Sequence, residues 1–227
     1  SKGEIMTVFP DHAAVDYDER IENLVPGYAL ALALFGCTLF GRIDPQGTIL
    51  VPGCGTGSEI LALASVFPQA CFTAVEPSAA MLAKARRRLQ HAGIDHRTEF
   101  IHGFLKDAPQ VRHDAATASL VLHFLPDDGA KASFLGGIAR RLIPGAPLLL
   151  LDPSPEADDR VLRRWLEGRG HASEGVDAIC QRMDKEWHRI PRKRLADLLA
   201  HTGFTCGETF FQAASYTGVV AERRRDD

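Results

Sequence analysis

The stretch from Thr48 to Glu59, T-I-L-V-P-G-C-G-T-G-S-E, constrains the fold of this chain more than any other feature. A short aliphatic run ends in three glycines spaced two apart, and an apolar helical pattern begins directly after them. A strand that passes through a tight glycine turn into a helix presents its backbone N–H groups to a ligand at the helix N-terminus. Glycine suits the turn because a Cβ would hinder positive φ angles and keep a ligand away from the backbone.

Strand and helix patterns alternate regularly through the middle of the chain. Apolar, β-branched runs predict strands at 48–51, 71–75, 99–103, 112–118 and 147–152. Amphipathic periodicity predicts helices at 58–66, 78–92 and 127–141. This alternation predicts a mostly parallel, doubly wound α/β sheet of the Rossmann-like type. Right-handed connections would place the glycine turn at the carboxyl edge of the sheet, where open α/β folds bind their ligands.

The two ends of the chain depart from this alternation. Residues 4–40 predict a helical cover, with one amphipathic helix around Tyr17 and a second, apolar one from Tyr28 to about Phe40. Residues 154–190 are charged, contain both tryptophans, and predict a helical insertion or lid. A helix and two strands over 191–222 predict an antiparallel pair at one edge of the sheet. We expect one domain over residues 1–227, with residues 48–152 as its cofactor-binding core.

Composition narrows the compartment and the partners. The net charge of −3 gives no global reason to expect a nucleic-acid partner. The five cysteines are odd in number and contain no C-x-x-C pair, so neither a disulfide framework nor a zinc site is predicted. The sequence shows no secretory signal and no apolar run long enough to span a bilayer. We therefore expect a cytoplasmic protein without a membrane partner, either a monomer or a homodimer.

The order of elements and the motifs within it resemble the class I S-adenosylmethionine-dependent methyltransferases. The segment V-P-G-C-G-T-G, residues 51–57, is similar to the first motif of that family. Its residues resemble those of the thiopurine and thiol methyltransferase branch. Glu76 ends the second strand, where the family has an acidic residue that accepts both ribose hydroxyls. A carboxylate is suited to that role because it can take two hydrogen bonds from a vicinal diol. The resemblance implies S-adenosyl-L-methionine as the cofactor.

The cofactor-binding residues that we predict are Tyr17, Gly53, Cys54, Gly55, Gly57, Glu59, Glu76, Pro77, Ser78, Met81, Gly103, Phe104, Leu105, Ser119 and Leu120. One position departs from the family pattern. Many members carry an acidic residue two positions before the first motif glycine, and this chain has Val51 there. The cofactor's ammonium would then contact backbone carbonyls, or Glu59 across the turn.

His123 is the candidate catalytic residue because it follows the fourth strand, at the expected mouth of the site. With an ordinary pKa near ~6.5, it is suited to take a proton from a substrate O–H, N–H or S–H group. The alternative is a histidine whose hydrogen bonds are satisfied locally. The candidate substrate-binding residues are Arg20, Tyr28, Phe124, Trp187 and His188. The alternative is a surface cation for Arg20, simple packing for Tyr28, and anchoring of the inserted helices for Trp187 and His188. The remaining histidines show no metal-ligand spacing, and no metal is expected.

We therefore predict a methyltransferase that acts on the O, N or S atom of a small molecule. Three alternatives stay open at this point: a tRNA-modifying transferase, a cofactor-binding homologue that transfers nothing, and an NAD(P)-dependent oxidoreductase. The oxidoreductase would have the G-x-G-x-x-G spacing in place of G-x-G-x-G, and it would leave the late antiparallel strand pair unexplained.

Overall fold

The apolar strands and the amphipathic segments around them assemble into one seven-stranded sheet flanked by helices. The computed structural model describes residues 14–225 apart from residues 157 and 206. The helices are α1 (Tyr17–Leu24), α2 (Tyr28–Leu39), α3 (Ser58–Val66), α4 (Ala79–His91), α5 (Ala130–Ala139), α6 (Asp159–Gly168), α7 (Ser173–Glu186) and α8 (Arg192–His201). The strands are β1 (Thr48–Pro52), β2 (Cys71–Glu76), β3 (Thr98–His102), β4 (Ala115–Ser119), β5 (Pro147–Pro153), β6 (Glu208–Ala213) and β7 (Tyr216–Glu222).

The strand order is β3-β2-β1-β4-β5-β7-β6, with β1 to β5 parallel and β7 antiparallel to both of its neighbours. The chain runs outward from β1 to β3 and then returns to pair β4 with β1 on its other side. This reversal creates a crevice beyond the carboxyl ends of β1 and β4, which is where doubly wound sheets bind ligands. The predicted Rossmann-like fold with an antiparallel C-terminal pair is confirmed.

Two hydrophobic cores lie on opposite faces of the sheet. Successive side chains of a strand point to opposite faces, so Ile49 and Val51 enter one core while Leu50 enters the other. The first core also takes buried side chains from α2, α3, α6 and α7, and the second takes them from α5 and α8. Parallel strands covered on both faces read as continuous apolar runs, which is why residues 147–151 contain no polar side chain.

Some element boundaries differ from the predicted ones. The predicted helix at 127–141 begins only at Ala130, because Gly129 has φ = 110° and lies outside the right-handed helical region. The strand predicted from 112 begins at Ala115. Before it, the carboxylate of Asp114 accepts hydrogen bonds from the backbone and the hydroxyl of Thr48, at 2.7 and 2.9 Å. The insertion at 154–190 contains two helices, α6 and α7.

The predicted helical cover consists of α1 and α2, which meet at an angle of 90°. The helix predicted around Tyr17 begins at Tyr17 itself, and residues 4–13 of the predicted cover lie outside the described residues. Within the described part of the chain, no single helix has the length and apolarity to cross a membrane, and only this bent pair meets both conditions when its helices are taken together.

Candidate functional site

The glycine turn adopts backbone conformations that favour glycine at three positions. Gly53, Gly55 and Gly57 have φ values of 76°, 53° and 84°. A Cβ added to Gly53 would lie 2.4 Å from Cγ2 of Val121, so a larger residue would also be excluded by contact. The backbone N–H of Gly53 donates to the carbonyl of Val75 at 2.7 Å, which joins the turn to β2. The turn is therefore held close to the end of the strand that carries Glu76.

Glu76 lies at the carboxyl end of β2 and is only 5% exposed. Its Oε2 accepts the backbone N–H of Gly55 at 3.0 Å, and its Oε1 accepts that of Ser78 at 2.9 Å. Burial raises the pKa of Glu76, and these two N–H groups oppose the rise. Each oxygen has one of these bonds and retains a lone pair, so the carboxylate can accept two further hydrogen bonds from a diol.

A groove of about 40 Å³ lies between the glycine turn and Glu76. Its lining is Tyr17, Gly53, Gly55, Glu76, Pro77, Met81, Ser119, Leu120, Val121 and Phe124. The structure thus brings together eight of the predicted cofactor-binding residues, and it adds Val121 and Phe124 to them.

The other predicted cofactor-binding residues lie outside this lining. Four of them belong to the glycine turn or to helices α3 and α4. Cys54 and Glu59 are buried, Gly57 precedes α3, and Ser78 caps α4. Those after β3 are Gly103, whose N–H donates to the carbonyl of Glu76 at 3.1 Å, then Phe104 and Leu105. Leu105 packs into the core formed with α5.

Glu59 is a buried carboxyl group in the first turn of α3, directly after the glycine turn. Its Oε1 has no hydrogen-bond partner among the described residues. Burial raises its pKa to about 7, although Thr117 and the backbone of Ser119 favour the charged form. Val51, at the position where the family pattern has an acid, is fully buried in the core. After burial and closer charges, the negative charge of Glu59 also raises the pKa of Tyr17, which lines the groove.

Helix α1 covers the groove and is fixed there by Asp18. The Asp18 carboxylate accepts hydrogen bonds from the hydroxyl of Ser58 at 2.9 Å and from Thr56, and it pairs with Lys84 at 2.7 Å and Arg88 at 3.1 Å. Burial would raise the pKa of Asp18, but the bonds from Lys84 and Thr56 hold it below its usual value. One side chain thus ties α1 to both the glycine turn and α4.

A cavity of about 530 Å³ adjoins the groove. The two share Tyr17, Leu120 and Phe124 as lining residues, so a ligand in the groove and a molecule in the cavity would meet at these side chains. The cavity's other lining residues are Arg20, Ile21, Asn23, Leu24, Val25, His123, Leu166, His171, Ile179, Arg182, Glu186, Trp187 and Tyr216. The lining is largely apolar, with a few polar groups, which is typical of small-molecule sites.

His123 lines this cavity, and it also lines a neighbouring space of about 70 Å³. It lies in a short 3₁₀ turn, Leu122–Phe124, and is 3% exposed. Its Nδ1 lies 2.7 Å from Oδ1 of Asp152, which also accepts the backbone N–H of His123 at 3.0 Å. A carboxylate only accepts, so it selects the tautomer with hydrogen on Nδ1 and leaves Nε2 as an acceptor. Nε2 is buried and has no partner among the described residues.

Burial lowers the pKa of His123, and Asp152 opposes the shift. The ring is therefore neutral near pH 7, as a proton acceptor must be. Lys131 supports the turn that holds the ring. Its buried Nζ donates to the carbonyls of Leu122 and Leu125 at 2.6 and 2.7 Å, and burial lowers its pKa to about 8.

The predicted substrate-binding residues separate into three groups. Arg20, Phe124 and Trp187 line the cavity, and the Trp187 ring centroid lies 4.4 Å from that of His123. His188 lines a smaller cavity of about 70 Å³, and its backbone N–H donates to the carbonyl of His123 at 2.7 Å. Tyr28 is buried and lines none of these three spaces.

Sequence reasoning missed four residues of this site. Asp152 lies in β5, Tyr216 in β7, Lys131 in α5 and Asp18 in α1. A partial signal for Asp152 exists, since an acid that ends an apolar parallel strand lies at the ligand-binding edge. Within residues 14–225, apart from 157 and 206, no cluster of three or more His, Cys, Asp or Glu side chains is arranged to hold a metal ion.

Comparison with known proteins identifies the central part of the chain. A family model described as a methyltransferase domain matches residues 49–146, which run from β1 to the turn before β5. The chain is 26% identical over 229 residues to the carboxy-S-adenosyl-L-methionine synthase of Chromohalobacter salexigens, and this similarity covers 94% of the chain and 82% of the relative. It is 31% identical to the tRNA (guanine-N(7)-)-methyltransferase of Chloroflexus aggregans over 52% of the chain and 56% of the relative.

Solved structures show the same fold at low identity. The magnesium protoporphyrin IX methyltransferase of Synechocystis PCC 6803 superposes with a TM-score of 0.69 at 15% identity, covering 94% of this chain and 97% of its own. Other solved structures with this fold are longer, and the chain spans 60% of their length. Residues 49–146 thus match a methyltransferase domain, and the chain has the Rossmann-like fold of solved methyltransferases. The free acceptor capacity of Glu76 and the glycine turn beside it fit the predicted cofactor, S-adenosyl-L-methionine.

Proposed function

We propose that this protein transfers a methyl group from S-adenosyl-L-methionine to a hydroxyl, amine or thiol of a small molecule held in the 530 Å³ cavity. The observation that carries the proposal is the Nε2 atom of His123, a buried acceptor without a partner among the described residues, in a side chain that lines this cavity. The cavity and the cofactor groove share three lining residues, so a nucleophile beside His123 would also be close to the cofactor.

Each residue has a role that follows from its contacts. Bound S-adenosyl-L-methionine supplies a methyl group that its sulfonium already activates. Glu76 would accept the ribose hydroxyls, and the Gly53–Gly57 turn would surround the methionine portion. Helix α1 would exclude water, which favours transfer between two positioned groups. Nε2 of His123 would take the proton of the nucleophile, and Asp152 would stabilise the resulting imidazolium, because it is the carboxylate that Nδ1 faces.

The size and charge of the surroundings favour a small substrate over tRNA. A cavity of about 530 Å³ lies within the range of small-ligand sites, roughly 300–1,000 Å³. Three basic side chains of the insertion and of α8 are paired with acids. Arg163 pairs with Asp177, Arg189 with Asp184, and Arg194 with Asp127. These pairs leave less positive charge available for a nucleic-acid backbone.

One observation favours a second candidate function. A relative that matches nearly the whole chain is a carboxy-S-adenosyl-L-methionine synthase, whose name describes a product made from the cofactor itself. In that case the cavity would hold a co-substrate that modifies the cofactor, and no acceptor would be methylated. The cofactor-binding homologue that transfers nothing is less consistent with the pairing of His123 and Asp152, because an inactive protein has no use for a buried, oriented base.

The experiment that separates these functions follows the fate of the cofactor. Purified protein is incubated with S-adenosyl-L-methionine and a panel of phenols, hydroxy acids, amines and thiols, and all cofactor-derived species are identified by mass spectrometry. Methyl transfer yields S-adenosylhomocysteine together with a methylated acceptor, and both should be lost in His123→Ala. A cofactor that becomes heavier by one carboxyl group would establish the second function. Tight cofactor binding with neither product across the panel would contradict catalysis of both kinds.

A further inference from the structure

Tyr216 has a buried hydroxyl that nothing in the described structure satisfies. The residue begins β7 and is 0% exposed, and its Oη has no hydrogen-bond partner among the described residues. Its side chain lines the 530 Å³ cavity. A buried hydroxyl group without a partner costs the full free energy of its lost hydration. Buried tyrosine hydroxyls therefore usually have a hydrogen-bond partner. A ligand in the cavity is the simplest partner for this one.

The sheet register places Tyr216 near the end of β5 that carries Asp152, on the opposite face of the sheet. Tyr216 pairs with Pro153 across the antiparallel β5–β7 ladder, and the neighbouring pair joins Thr217 to Asp152. Asp152 in turn holds Nδ1 of His123. The unpartnered Oη of Tyr216 and the unpartnered Nε2 of His123 belong to two side chains that line the same cavity. Burial raises the pKa of Tyr216, so its hydroxyl stays protonated and is able to donate.

The two groups require complementary partners. In the tautomer fixed by Asp152, Nε2 accepts a hydrogen bond, whereas the Tyr216 hydroxyl has a proton to donate. We propose that Tyr216 is a substrate-binding residue that donates to a carbonyl or carboxylate oxygen of the same small molecule whose hydroxyl hydrogen-bonds to His123. This inference rests on the proposed function for the position of the hydroxyl. It identifies the substrate class as hydroxylated carbonyl compounds, including hydroxy acids.

Other lining residues are consistent with this class. The rings of Trp187 and Phe124 border the cavity close to His123, so the body of the substrate can be flat and apolar. Two arginines, Arg20 and Arg182, also line the cavity with one carboxylate, Glu186, and Arg20 pairs with Asp16 at 3.3 Å. Arg182 can therefore face a substrate oxygen with a negative charge. A site built to hydrogen-bond a polar group rejects analogues that lack it, so Tyr216 would determine specificity.

The test uses intact protein, the non-reactive cofactor product S-adenosylhomocysteine, and defined probes. The probes are the three positional isomers of hydroxybenzoate, the three isomers of hydroxyacetophenone, and phenol as the molecule without a second oxygen. Binding is measured by calorimetry and by tryptophan fluorescence, since Trp187 lines the cavity. Tyr216→Phe is compared with Thr217→Val, which removes a hydroxyl from the next residue on the opposite face of β7.

In Tyr216→Phe, we expect the dissociation constant of the isomer that binds best to rise at least tenfold. The dissociation constant of phenol should stay within twofold of its wild-type value, and the variant should lose no thermal stability. Thr217→Val should leave binding of all probes unchanged. Wild-type protein that binds no isomer better than phenol would overturn the inference, as would a Tyr216→Phe variant that loses stability or weakens phenol equally. Binding through Tyr216 without any methylation of the probe under turnover conditions would instead count against the proposed function alone.

Discussion

Asp152 uses one carboxylate oxygen to hold both the ring and the backbone of His123. Its Oδ1 lies 2.7 Å from Nδ1 of the imidazole and accepts the His123 backbone N–H at 3.0 Å. The two contacts fix the ring orientation and the tautomer at once. Because His123 is buried and follows β4 while Asp152 lies near the end of β5, the alignment of these two parallel strands creates the pair.

The first prediction concerns this pair. Asp152→Asn should lower kcat by roughly 10²-fold or more, because an amide can donate to Nδ1 and so place hydrogen on Nε2, where an acceptor is needed. The dissociation constant of the cofactor should stay within twofold. Steady-state kinetics with an accepted substrate and cofactor calorimetry measure the two quantities. Asp177→Asn, which changes an exposed acid on α7, serves as the control.

The pH profile gives this prediction a second readout. In wild-type protein kcat/KM should rise with pH as the imidazole loses its proton, and burial places this rise below the ordinary pKa of ~6.5. Asp152 raises the pKa of His123, so the residual activity of Asp152→Asn should show its acid limb at lower pH than wild type. A variant with unchanged kcat and an unchanged profile would show that His123 is not the base.

The second prediction concerns the buried carboxyl of Glu59. Its pKa is about 7 in the folded protein, against 4.5 in the unfolded chain, so folding favours the protonated form. Stability is therefore lost as pH rises from about 4.5 to 7, by roughly 3 kcal/mol in all. Glu59→Gln should remove this dependence and make the cofactor-free protein more stable than wild type at pH 8, but not at pH 4.5.

Urea unfolding of the cofactor-free protein at the two pH values measures the effect of Glu59→Gln. The exposed Glu208 provides a matched control, since Glu208→Gln should leave the pH dependence unchanged. If Glu59 also takes the role of the acid absent at Val51, its carboxylate would pair with the cofactor's ammonium. Glu59→Gln would then weaken cofactor binding while it stabilises the free protein, and equal cofactor affinity would exclude that role.

The sequence predicts the part of the site that is local and misses the part that depends on topology. The glycine turn and Glu76 are recognisable because each is fixed by its own strand end, at a spacing of roughly twenty residues. Tyr216 lies 63 residues after Pro153, its partner in the register, and it reaches the cavity only because β7 inserts between β5 and β6. No local pattern specifies that insertion. Asp152 was predicted as part of a strand, but its contact with His123 requires the pairing of β4 and β5.

The third prediction concerns the attachment of α1. With α1 in place the groove is about 40 Å³, and we expect the helix to move when the cofactor enters or leaves. Asp18→Ala removes the contacts to Ser58, Lys84 and Arg88 that hold α1 over the groove. Hydrogen bonds to charged groups contribute about 1.5–3 kcal/mol, so the dissociation rate of S-adenosylhomocysteine should rise roughly tenfold or more.

Stopped-flow displacement of S-adenosylhomocysteine measures that rate. Glu19→Gln, in the same helical turn but exposed, should leave it unchanged. An Asp18→Ala variant that releases the cofactor product at the wild-type rate would mean that α1 does not limit exchange.

The fourth prediction separates the two constraints on Gly53, its positive φ and its contact with Val121. Gly53→Ala adds a Cβ 2.4 Å from Cγ2 of Val121, on a backbone with φ = 76°. Gly55 has a similar conformation, with φ = 53°, but an added Cβ would meet no atom within 4 Å. Gly55→Ala should therefore destabilise the protein by about 1–2 kcal/mol through backbone conformation alone, and Gly53→Ala by more.

A double-mutant cycle in urea isolates the contact. Val121→Ala removes the methyl groups that the new Cβ would meet, so it should restore part of the stability of Gly53→Ala, with a coupling energy of at least about 1 kcal/mol. Val121→Ala combined with Gly55→Ala should show no such coupling. Equal losses for Gly53→Ala and Gly55→Ala, without coupling to Val121, would mean that the turn moves away from β4 to admit the side chain. In that case, the contact between Val121 and the glycine turn would not fix the position of the groove relative to the end of β4.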